Sequence, residues 1–72
     1  MAVSYNKLWK QLIDKGMTKT AMRKEAGIST NILAKMGRNE TVSMENLEKI
    51  AIVMQCGLDD IVEIVRVDNK HE

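Results

Sequence analysis

The stretch Thr18-Lys19-Thr20-Ala21-Met22-Arg23-Lys24-Glu25-Ala26-Gly27-Ile28-Ser29-Thr30-Asn31-Ile32-Leu33-Ala34-Lys35-Met36 decides how this chain folds. Thr18 can cap a helix running to Ala26, Gly27 can take the left-handed conformation that stops it, and Ser29 can cap the next helix at once. Met22 and Ala26 are four apart and Leu33 and Met36 three apart, separations that share a helix face. Each short helix thus shows one apolar stripe to its partner, and Ile28 in the turn can plug the angle between them. The pattern predicts a helix-turn-helix. It leaves Thr30, Asn31, Ala34 and Lys35 facing outward from the second helix, a surface that fits a DNA groove.

Upstream, Ser4 can cap a first helix in which Tyr5, Leu8, Trp9, Leu12 and Ile13 form a stripe, ended by Gly16. Trp9 lies within that stripe, which makes it a core residue, and the near absence of other aromatics argues against a platform for stacking single strands. Downstream, Gly37 stands where the second motif helix can end. Ser43 then restarts a helical pattern, with Met44, Leu47, Ile50, Ala51 and Met54 buried and Gly57 as the stop. A fifth, short helix follows from an Asp59 cap and the stripe Leu58, Ile61, Val62 and Val65. Its β-branched run has weak helix propensity and fits a strand equally well.

Seventy-two residues support one core. The expectation is an all-α, compact five-helix domain over residues 1–67, with a polar, frayed tail at 68–72 in which His71 has no specific role. With no long apolar run and no secretory signal, the chain reads as cytoplasmic, with no membrane partner. Cys56 is alone and reads as a buried, inert thiol. No spaced ligand cluster suggests a metal, and no Gly-rich phosphate loop or acid-base set suggests an enzyme, a cofactor or a small-molecule effector.

The net charge of +1 hides an asymmetry. Residues 1–39 carry eight Lys/Arg against Asp14 and Glu25, a net +6, whereas residues 40–72 carry three against eight acidic residues, a net −5. The positive half coincides with the helix-turn-helix, and counterion release from phosphates needs only a local basic face. Lysines that merely solvate helix surfaces would give the same count.

With these elements placed, the chain resembles the Cro/C1-type helix-turn-helix family, of lambda-repressor-like fold, and within it the compact Xre-like bacterial or phage regulators. Gly27 in the turn flanked by Ala26 and Ile28, Ser29 opening the second motif helix, and the anchors Met22, Leu33 and Met36 carry the resemblance. So do the downstream runs from Ser43 to Ala51 and from Met54 to Ile61. Three positions depart from the pattern: Lys19 replaces a usual Gln, Arg23 a usual Ala, and Gly37 a common Glu. The resemblance implies a DNA-binding transcriptional repressor whose second motif helix enters the major groove. Thr30, Asn31, Ala34 and Lys35 would then meet base edges, and Thr18, Lys19, Arg23, Ser29 and Arg38 would meet phosphates. A homodimer on double-stranded DNA is expected, with Ile52, Ile64 and Val67 as its candidate surface. The competing reading is a protein-interaction module of the same fold, an antitoxin or anti-repressor docking through the acidic half.

Overall fold

The computed structural model describes residues 2–65, as two short strands, four α-helices and one 3-10 turn. They run in the order β1 (Ala2–Ser4), α1 (Asn6–Lys15), α2 (Lys19–Ala26), α3 (Thr30–Gly37), α4 (Met44–Met54), the 3-10 turn Leu58–Asp60 and β2 (Glu63–Val65).

Local chemistry fixes three of the helix starts. The side chains of Thr18, Ser29 and Ser43 accept from the backbone N–H groups of Ala21, Ile32 and Asn46 at 3.0, 3.1 and 3.2 Å, satisfying donors that the first turn leaves without partners. Gly16 and Gly27 end α1 and α2 in the left-handed conformation, at φ +66 and +73°. Of the other two stops, α3 ends at Gly37 as expected but without a left-handed glycine, and α4 ends earlier than expected. Gly37 is the last residue of α3, and Asn39 supplies the positive φ beyond it; α4 stops at Met54 with Gln55 left-handed, before Gly57 is reached. Asparagine tolerates this region through its short polar side chain. Nor is Ser4 the cap of α1. It lies at the end of β1, and its hydroxyl accepts from the N–H of Asn6, the first residue of α1, while Tyr5 occupies the cap position without a side-chain cap bond.

The core joins Tyr5, Leu8 and Leu12 of the first segment to Met22, Ala26, Ile28 and Met36 of the motif and to Leu47, Ile50, Met54 and Ile61. Helix α2 lies at its centre, in contact with α1, α3 and α4. Two residues of the first four expected stripes are outside it: Ile13 is 78% exposed and Met44 63% exposed.

The expected fifth helix is absent, and the fold is mostly helical rather than all-α. After the 3-10 turn, Ile61 inserts into the core and the chain extends so that Glu63–Val65 pair antiparallel with Ala2–Ser4, in the register Ala2↔Val65, Val3↔Ile64, Ser4↔Glu63. A helix would have had to bury Leu58 and Val65 as well, yet both are exposed. The β-branched side chains instead favour the pleated conformation, in which β1 satisfies the backbone of β2. Expectations for Val67, His71 and the 68–72 tail lie outside the described residues.

Candidate nucleic-acid interface

Helix α3 turns Ile32, Leu33 and Met36 inward and leaves Thr30, Asn31 and Ala34 exposed. The last three sit on one face because 30 and 34, and 31 and 34, are one helical turn apart. Lys35 belongs to the same face by spacing, yet it is half-buried and its charge acts on the Glu40 carboxylate. Ser29 and Thr18, both exposed, mark the capped starts of α3 and α2. Backbone N–H groups at such starts carry the positive end of the helix dipole and favour anions.

The cations around this face differ in how they are held. The Arg23 guanidinium donates from Nη1 to the carbonyl of Ile28 at 3.3 Å, so this departure from the family pattern is bound over the motif turn. The Arg38 guanidinium donates from Nε to Glu40 Oε2 at 2.8 Å, a pair whose side chains are 57% and 48% exposed. The hydrogen bond raises the Arg38 pKa and holds the Glu40 carboxyl below its ordinary range. Ion pairs this exposed contribute little stability, so the guanidinium can exchange its partner at little cost. Lys19 is exposed, and its Nζ lies 4.3 Å from the centroid of the Trp9 ring. Trp9 packs against the core but is half-buried rather than enclosed.

Sequence position and surface position diverge for the other lysines. Lys7 donates to the Asp59 carbonyl at 3.3 Å, Gln11 donates to the Asp60 carbonyl at 2.6 Å, and Lys15 is close enough to act on Cys56 beside the same two aspartates. The basic charge of α1 is therefore partly matched by the acidic 3-10 turn. The positive charge of the motif itself comes from Lys19, Arg23 and Lys24 on α2, Lys35 on α3 and Arg38 just after it.

Cys56 is half-buried, not enclosed as expected, at a groove lined by Met44, Glu48, Ala51, Gly57 and Leu58. Burial nevertheless pushes its thiol pKa up, with Asp59 and Asp60 adding to the effect and the Gln11 side chain opposing it. Such a thiol is a poor nucleophile. Among the described residues, no group of three or more His, Cys, Asp or Glu is arranged to hold a metal ion, and no helix is long and apolar enough to cross a membrane.

The capped pair α2–α3 and the exposed face of α3 define a helix-turn-helix domain. Residues 7–66 match the profile of the Cro/C1-type HTH DNA-binding domain, and the chain belongs to that family. The crystal structure of the transcriptional regulator VanUg is similar to it at a TM-score of 0.88 and 44% sequence identity, covering 92% of this chain and 88% of that one. No curated protein matches the chain.

Proposed function

We propose that this protein is a transcriptional repressor that binds double-stranded DNA in a sequence-specific manner, placing α3 in the major groove. The observation that carries the reading is the exposed face Thr30, Asn31 and Ala34, held on a helix whose other side is fixed in the core by Met36. Asn31 can pair bidentately with adenine, Lys35 can donate to guanine acceptors, Thr30 can meet either a polar edge or a thymine methyl, and Ala34 lets the helix approach closely. Thr18, Lys19, Ser29 and Arg38 fix the register on phosphates, aided by the two helix starts; Arg23 adds charge while it holds the turn. A helix seated in the groove blocks other proteins from the same base pairs, which is the physical basis of repression.

One such module buries a small interface, so two copies reading half-sites about 34 Å apart make the stable unit. Ile52 and Ile64, 72% and 68% exposed, are available to such a contact. The test is binding of a labelled duplex followed by anisotropy at low and moderate salt. The reading requires tight binding at low salt that weakens steeply as salt rises. Failure to bind even at low salt would overturn it. It would also bring forward the protein-docking reading, which Leu58, Ile64 and Val65, exposed beside Asp59, Asp60 and Glu63, favour.

A further inference from the structure

Three of the cations described above spend N–H donors on acceptors of the protein itself: Lys7 on the Asp59 carbonyl, Arg23 on the Ile28 carbonyl and Arg38 on the Glu40 carboxylate. Lys19 differs. Its ammonium is held by the face of Trp9 at 4.3 Å, an attraction to the ring quadrupole that needs no oxygen or nitrogen acceptor. Among the described residues it has no carboxylate partner. None of its three donors is therefore committed to an oxygen or nitrogen acceptor among the described residues, and Lys19 is the first residue of α2, next to the Thr18 cap. The ring is itself fixed. Trp9 meets Tyr5 in a tilted contact, 56° between ring planes with centroids 6.4 Å apart, and Tyr5 is buried, its hydroxyl donating to the Glu40 carbonyl at 2.7 Å.

We propose that Trp9 is a positioning residue of the DNA interface, holding over its ring the ammonium of Lys19, the first residue of α2, with donors free for one phosphate. The inference rests on the DNA-binding reading and adds to it a residue of α1, outside the motif. A lysine that contacts a phosphate from free solution must give up the rotamer freedom of a long side chain, which weakens binding about two- to tenfold. Trp9 removes part of that loss before DNA arrives. The ring contact persists in the complex, so its effect is on ordering and not on a contact exchanged for another.

The experiment is a double-mutant cycle on affinity for a labelled random-sequence duplex at low salt, with Trp9→Leu, Lys19→Met and the two combined. Trp9→Leu should weaken binding about two- to fivefold in the wild-type background and have no effect once Lys19→Met is present, and Trp9→Tyr should restore most of the loss. Equal weakening by Trp9→Leu in both backgrounds, or in neither, overturns the inference while duplex binding by the wild type leaves the DNA reading standing. A wild type that does not bind overturns both. A second measurement does not depend on the folding of Trp9→Leu: the Lys19 ε-methylene protons of the wild type should show an upfield ring-current shift in NMR that survives saturation with duplex. Absence of that shift, or its loss on saturation, contradicts the proposal.

Discussion

Arg23 and Ile28 are joined twice across the motif turn. The Ile28 N–H donates to the Arg23 carbonyl at 3.2 Å, and the Arg23 guanidinium donates back to the Ile28 carbonyl at 3.3 Å. Gly27, between them, takes the φ of +73° that lets the first link close, and Ile28 is thereby driven into the core, where it is 4% exposed. The angle between α2 and α3 is set by this clasp together with the packing of Met22 and Met36. The arginine that stands where the family pattern has a small residue thus works on the turn.

Arg23→Ala removes the side-chain link and leaves the backbone link intact. A hydrogen bond from a half-exposed guanidinium to a carbonyl is worth about 1 kcal/mol net, and urea denaturation should show a loss of that size with an unchanged m-value. An unchanged midpoint would mean that the clasp contributes nothing.

Gly27→Ala and Gly37→Ala should act with opposite signs. A Cβ at either position meets nothing within 4 Å, so sterics with neighbours do not decide the outcome. At Gly27 the positive φ makes alanine cost about 1–2 kcal/mol. At Gly37, which closes α3 without a positive φ, alanine should stabilise by about 0.5–1 kcal/mol through the unfolded chain. Thermal or urea unfolding of the two variants checks this, and a common sign would contradict the backbone argument.

Burial pushes the Tyr5 phenol above its ordinary pKa, with the backbone of Val42 pulling part of the way back. A phenol harder to ionise in the fold than in the unfolded chain contributes stability that is fully present below the unfolded pKa of about 10. That contribution is lost as pH rises through the folded value. The stability advantage of the wild type over Tyr5→Phe, about 1 kcal/mol for the hydrogen bond to Glu40, should therefore be flat up to about pH 9 and shrink above about pH 10. Denaturation at fixed pH values measures it; an advantage that grew with alkalinity would be inconsistent with a buried neutral phenol.

What could be read from the chain alone was what depends on residues within a turn of one another. The caps Thr18, Ser29 and Ser43, the stop at Gly27 and the outward face of Thr30, Asn31 and Ala34 are of this kind, because capping and helix faces are set by separations of three and four. The end of the fold was not legible in the same way. Whether the Ile61-to-Val65 run becomes helix or strand depends on a partner at the opposite end of the chain, Ala2–Ser4, and local propensity cannot name it. The link of Tyr5 to Glu40 is also long-range, and that of Trp9 to Lys19 crosses between two helices, so neither leaves a spacing signal. Arg38 and Glu40 are only two apart, a separation that could have suggested their pairing. Periodicity overreached at Ile13 and Met44, since a stripe gives a direction but not how far the neighbouring element extends to cover it.

Lys19→Ala should weaken binding to all duplex sequences alike and flatten the salt dependence by about one unit of slope, because one phosphate contact is lost. Titrations of two unrelated duplexes across a salt series provide the check. A loss confined to one of them would assign Lys19 to a base edge.

The central claim, that the exposed face of α3 reads base edges, is tested most directly by selection from a pool of random duplex DNA, with sequencing of the retained molecules, for the wild type and for Asn31→Ala. The account predicts a motif for the wild type, palindromic with half-sites one helical turn apart, and the same motif relaxed at a single position of each half-site for Asn31→Ala. Retention without any motif, or an identical motif from both proteins, would contradict it.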